Sequence, residues 1–202
     1  MKKILLTIVF ASILVFGFSQ RFNGGAMIGL IAGQVAGDTY SGYSKVGPAA
    51  GFFVNFQPAD HSSIQLELAY MQKGSRKSAN TVKEDYDSYL LRLNYIEMPL
   101  LYRYHIRWFA LEAGPSLGFF MSGYEEYNGE DVKADDFASV TFQLNFGVVF
   151  TVAENWKFGI RTNNSLTNLR NQTYTGHVSR FWTHGQFSDL ILFSVGYQFL
   201  HF

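Results

Sequence analysis

Residues 140–152 read V-T-F-Q-L-N-F-G-V-V-F-T-V, and they decide the fold. Val140, Phe142, Leu144, Phe146, Val148, Phe150 and Val152 share one parity; Thr141, Gln143, Asn145, Gly147, Val149 and Thr151 share the other. A period of two is the signature of a strand with two unlike faces. One face is continuously apolar, the other small or polar. Strands of soluble proteins usually run to about 5–6 residues, whereas a tilted strand crossing a bilayer needs about 9–11. The stretch therefore predicts a membrane-crossing strand.

The same alternation recurs over 22–34, 46–57, 62–73, 88–104, 108–121, 156–168 and 187–202. In 62–73, Ile64, Leu66, Leu68 and Tyr70 form the outward set and Gln65, Glu67 and Ala69 the inward one. In 88–104 the apolar parity changes between Tyr95 and Ile96, which predicts a β-bulge near Pro99, a residue that cannot donate to the ladder. The connections alternate long and short, as in bacterial barrels with short periplasmic turns and longer outer loops. Trp108 and Trp156 stand at strand starts beside short turns, where an aromatic girdle belongs. The expected fold is all-β: an eight-stranded antiparallel up-and-down transmembrane β-barrel with both ends on the periplasmic side. A barrel of that size has an interior filled by side chains.

Composition agrees. Aromatics make up 17% of the 202 residues and charged residues 16%, against about 25% charged in ordinary soluble domains. Mean hydropathy is +0.01, far too low for a bundle of membrane helices. The formal net charge of +0 argues against a nucleic-acid partner. The absence of cysteine removes disulfides, thiolate metal sites and a lipid-modified N-terminal cysteine. Lys2 and Lys3, an apolar run over 4–18, and Gly17 and Ser19 predict a signal peptide over 1–19, leaving 20–202 as one barrel domain.

Tyr95-Ile-Glu-Met-Pro-Leu-Leu-Tyr-Arg-Tyr104, together with Gly114-Pro115, Leu166-Thr-Asn168 and Gly196-Tyr-Gln-Phe199, resembles the PorT-like small outer-membrane β-barrels of Bacteroidetes. The likeness spans the mature chain and is most specific at Glu97-Met98-Pro99. It departs at the tail Leu200-His201-Phe202. The resemblance implies an exported barrel in the outer membrane and supplies no catalytic motif.

The parities assign Glu67, Arg92, Glu97, Arg103, Glu112, Lys157 and Arg161 to the inner face. Charges in a low-dielectric lumen must be paired, so this set predicts an ion-pair network plugging the barrel. Lys73, Arg76 and Lys77 fall where the third strand leaves the membrane and could contact lipopolysaccharide phosphates. The acidic loop 123–136 matches no ordered calcium loop. His177, Ser179 and Asp189 have a spacing similar to that of lipid A deacylases, in which a histidine would activate a serine hydroxyl. Neither they nor the pair His177 and His184 supply a convincing catalytic or metal set.

The expected protein is therefore a non-enzymatic, monomeric barrel without cofactor or metal. Its partners are outer-membrane lipid, lipopolysaccharide and envelope proteins docked on its loops. Two alternatives follow the same alternation: a lipid-modifying barrel enzyme, and a soluble lipocalin-like barrel with the apolar face turned inward. Orientation separates the last. Phe142, Phe146 and Phe193 must face outward, with Glu67, Glu112 and Arg161 in the centre.

Overall fold

The computed structural model describes residues 21–38, 40, 42–79, 84–134, 136–170, 178–180 and 183–201. The predicted leader over 1–19 lies outside the described residues. Among the described residues eleven strands follow in order: β1 (Arg21–Ala36), β2 (Lys45–Ala59), β3 (Ser62–Lys77), β4 (Tyr89–Ile106), β5 (Phe109–Tyr127), β6 (Glu130–Val132), β7 (Val140–Thr151), β8 (Trp156–Ser165), β9 (Ser179–Arg180), β10 (Thr183–His184) and β11 (Phe187–His201). Eight of them make a ring in the order β1-β2-β3-β4-β5-β7-β8-β11, each antiparallel to its neighbours. The ring closes where β1 pairs β11 from Asn23↔His201 to Ala36↔Phe187. Closure matters because no water is present in hydrocarbon to satisfy a free strand edge. β6 folds back on the tip of β5, and β9 pairs β10 as a small separate hairpin.

The two faces are disposed as their chemistry requires. Phe146 is 54% exposed and Phe193 50%, and Phe142 also faces out, while Glu67, Glu112 and Arg161 are buried in the centre. The lipocalin-like alternative needed the reverse. Trp108 stacks on Phe150, and Trp156 meets Tyr197 edge-on, both beside the turn end of the barrel.

The interior has two apolar patches. One, under β1, β2, β3 and β11, contains Met27, Ile31, Ala49, Met71, Leu190 and Leu192. The other closes the loop end and joins Val35, Leu91, Leu93 and Tyr95 to Phe137 and Leu169 from the loops. That second patch corrects the reading of β4. Leu91, Leu93 and Tyr95 point inward with Glu97, Leu101 and Arg103, so the backbone alternation of β4 is unbroken. What changes is the solvent. Outward residues from Ile96 to Tyr104 cover about 20 Å of height, taking a rise of about 3.3 Å per residue and a tilt near 40°. That is close to the apolar band of about 25 Å. Beyond Ile96 the outer face is Asn94 and then exposed Arg92, and the apolar side chains move inside, as in a water-soluble sheet. The bulge sits on the partner strand instead. Asn94 pairs Ser122 while Tyr95 pairs Phe120, which leaves Met121 as the extra residue on β5. β5 itself continues to Tyr127, six residues past its expected end.

Placing a charge in the middle of the apolar band tests this orientation. Leu100→Arg should lower unfolding stability in phospholipid vesicles by about 2–4 kcal/mol, whereas Arg92→Leu should change it by less than about 0.5 kcal/mol. Equal effects would place the two residues in the same environment and contradict the assignment.

Candidate functional site

The charged side chains of the lumen are positioned by strand register. Arg103 on β4 lies directly opposite Glu112 on β5. Glu112 is in line with Gly147 on β7 and Arg161 on β8. β8 stands diametrically across the ring from β3, which carries Glu67. The four charges form a closed circuit. Arg161 Nη1 and Nη2 donate to the two Glu67 oxygens at 2.7 and 2.8 Å, and its Nε donates to Glu112 Oε1 at 2.6 Å. Glu112 Oε2 accepts from Arg103 Nε at 2.8 Å, and Arg103 reaches back to Gln65, whose amide donates to Glu67 at 2.6 Å.

Gly147 makes this possible. A Cβ there would lie 2.8 Å from Glu112 Oε1 and 3.1 Å from the Arg161 Cα, so any side chain would wedge the pair apart. The glycine is needed for the close approach of its neighbours.

A second cluster lies on the loop side of the first. Glu97 is ion-paired with Lys73 and accepts from Asn163 Nδ2 at 2.9 Å. Lys73 Nζ donates to Asn163 Oδ1 at 3.2 Å and sits 5.3 Å above the Tyr95 ring. Asn163 also donates to Asn145 Oδ1, and Asn145 to Ser116 Oγ. Three carboxylates, Glu67, Glu97 and Glu112, thus meet three cations, Lys73, Arg103 and Arg161. Buried charges are tolerated when paired and hydrogen-bonded in this way. Lys157 enters the lumen nearer the turn end, half-buried, with no carboxylate in ion-pair distance among the described residues. It lines, with Glu67 and Arg103, a cavity of about 20 Å³, room for about one water.

Two expected positions are corrected. Arg92 is not part of the lumen: it lies on the outer face of β4 with its guanidinium over the Tyr124 ring. The expected shift of parity misplaced it. Lys73 cannot contact lipopolysaccharide, because it is 1% exposed and shares the inward parity of Gln65 and Glu67. Of its expected companions, Arg76 is exposed, and Lys77 binds Asp85 Oδ1 at 2.9 Å. That hydrogen bond holds the Asp85 carboxyl below its ordinary range. Gln65, Ser116, Asn145 and Asn163 each occupy the polar parity of their strand, but the network expected from the sequence includes none of them.

At the loop end, Arg170 pairs with Glu125 at 2.8 Å and lies over Phe137. Asp189 receives both arms of Arg180, one at 2.6 Å. Its carboxylate is therefore occupied by a guanidinium. Ser179 is exposed, and His177 lies outside the described residues.

Residues 17–171, more than half of the chain, match the family described as "Outer membrane protein beta-barrel domain". The chain belongs to that family and is an outer-membrane β-barrel protein. No curated protein matches it. Among solved structures it is similar in fold to Ail, the attachment invasion locus protein of Yersinia pestis, at 12% identity and a TM-score of 0.51, over 88% of this chain and 98% of that one. Neisserial surface protein A is similar at 10% identity and a TM-score of 0.51, over 89% and 97% respectively.

Removing one member of the lumen circuit should be costly. Glu112→Gln leaves Arg161 and Arg103 sharing too few acceptors and should lower urea-unfolding stability by about 3–5 kcal/mol. Gly147→Val should do so without deleting any charge. Stability unchanged in both would mean that the circuit does not hold the barrel.

Proposed function

We propose that this outer-membrane barrel is a non-enzymatic, non-conducting scaffold that binds partners at its outer end. The observation that carries the reading is a barrel closed inside and extended outside. Ion-paired side chains fill the middle, and an apolar patch closes the loop end. β4 and β5 meanwhile continue past the apolar band as a ribbon, which β6 widens. That ribbon presents Tyr124, Tyr127 and Val132 to the surroundings. Exposed aromatic side chains of this kind are common anchors of protein contacts. The partners envisaged are envelope or extracellular proteins and outer-leaflet lipid, with the barrel itself a monomer.

The lipid-modifying alternative has less support, since Asp189 is engaged by Arg180 and so is not free to orient a histidine. The fold likeness to a protein named for attachment and invasion, at 12% identity, carries architecture alone. The segment around Glu97-Met98-Pro99 supports a place among the PorT-like small barrels of Bacteroidetes.

The test uses the full chain in its own membrane. A photo-crosslinking residue at Val132 should yield adducts in intact cells that Tyr124→Ser/Tyr127→Ser removes, and the same residue at Trp108 should not yield them. The purified barrel should give no conductance steps in planar bilayers, and lipid A mass spectra should be identical for wild type and Ser179→Ala. Stable conductance, changed spectra or adducts insensitive to the tyrosines would each defeat the proposal.

A further inference from the structure

The outer wall changes chemistry within one row of side chains on β3, β4 and β5. Tyr70, Ile96 and Phe119 are aligned across these strands, and the next outward row is Gln72, Asn94 and Ser122. That second row is linked: Tyr70 Oη and Gln72 Nε2 both donate to Asn94 Oδ1, at 2.7 and 3.3 Å, and Asn94 Nδ2 donates to Ser122 Oγ at 2.9 Å. It is the first polar row beyond the hydrocarbon, at the height of lipid headgroups.

Three cations gather just beyond this row: Lys45 reaches it through Gln72, Arg92 is one outward row farther along β4, and Arg76 lies beyond that on β3. Lys45 is 3% exposed, yet its ammonium donates only to neutral acceptors, Gln72 Oε1 at 3.0 Å and the Val46 carbonyl at 2.7 Å. Arg92 and Arg76 both lie near enough to act on it as like charges. Among the described residues, no carboxylate is in ion-pair distance of any of the three. The acids nearby are engaged elsewhere: Asp85 and Asp87 with Lys77, and Glu125 with Arg170. Glu126 shares a concavity of about 220 Å³ with Arg76 and Lys77, and it accepts from Tyr124 Oη at 2.9 Å.

A buried cation among like charges is costly unless an anion joins it. In the lumen the anion comes from the chain itself. Here no carboxylate among the described residues is close enough to serve, and the cations stand where the outer leaflet's headgroups begin. An arginine fork suits two phosphate oxygens and a lysine supplies a third charge. We propose that Lys45, Arg76 and Arg92 bind a phosphate group of a phosphorylated glycolipid in the outer leaflet. Gln72, Asn94 and Ser122 then meet the polar groups of its sugar. The inference deepens the lipid-binding part of the proposed function and needs only the outer-membrane orientation, not the protein contacts of the ribbon.

The experiment is native mass spectrometry of the full-length barrel released from mixed micelles holding equal amounts of bis-phosphorylated lipid A and its dephosphorylated form. Wild type should retain the phosphorylated lipid with a preference of at least about tenfold, the factor one charge-assisted hydrogen bond supplies. Arg76→Gln/Arg92→Gln alters two exposed residues and should abolish that preference while the barrel keeps its heat-modifiable folded band. Arg107→Gln, at a turn on the opposite end, should leave it intact. Equal retention of the two lipids by wild type, or an undiminished preference in the double variant, overturns the proposal. Displacement of the lipid by an equal concentration of inorganic phosphate would also overturn it, by assigning the cations to a free anion. Tyr127→Ser alone, which leaves the Tyr124 ring in place over Arg92, should not move this readout, so failure here and failure of partner docking are separately visible.

Discussion

The structure depends on one constraint: in hydrocarbon, every backbone N–H and C=O must find its partner within the chain. Closing β1 on β11 meets it, since the closed ring leaves no ladder edge open to lipid. Closure with eight strands then fixes what the interior can be. The lumen is wide enough for side chains and too narrow for bulk water, so groups that enter it must satisfy one another. The Glu67–Arg161–Glu112–Arg103 circuit is the consequence. Because β3 and β8 face each other across the ring, the Arg161–Glu67 pair is also a brace spanning the lumen.

A second principle sorts the side chains by height. Each strand crosses hydrocarbon and then water, and the preferred side for apolar residues reverses at the boundary. β4 records both regimes without a break in its alternation: Ile96, Met98 and Leu100 face out below the boundary, and Leu91, Leu93 and Tyr95 face in above it. The reversal puts the apolar patch of the loop end under Phe137 and Leu169 and puts Arg92 outside.

This explains which parts of the molecule were legible in the sequence. The eight strands, their faces within the membrane and the inward Glu67, Glu97, Glu112, Arg103 and Arg161 follow from a period of two, which local sequence carries in full. The outer half of β4 did not follow, because a flip in the apolar parity can mean a slipped backbone or a change of solvent, and alternation alone does not distinguish them. Met121, the true bulge, left no signal of that kind. Lys73 was legible, since its parity matches Glu67, but its position at the strand end suggested a headgroup contact instead. The pairing of Glu112 with Arg161 across Gly147 was not legible at all. It depends on which strands are neighbours and in what register, and a single sequence does not encode those distances in any local pattern.

The same chemistry therefore has opposite meanings at two heights of one barrel. Lys73 and Lys45 are both buried lysines on adjacent strands. Lys73 lies among Glu97, Asn163 and the Tyr95 ring, so its charge is neutralised by the fold and its contribution is structural. Lys45 has a carbonyl and an amide for company, with Arg76 and Arg92 beside it. A folded chain tolerates such a cluster at a modest cost when an abundant outside anion shares it, and the outer leaflet begins at that row. Burial alone does not separate a brace from a binding site; whether the counter-charge belongs to the chain does.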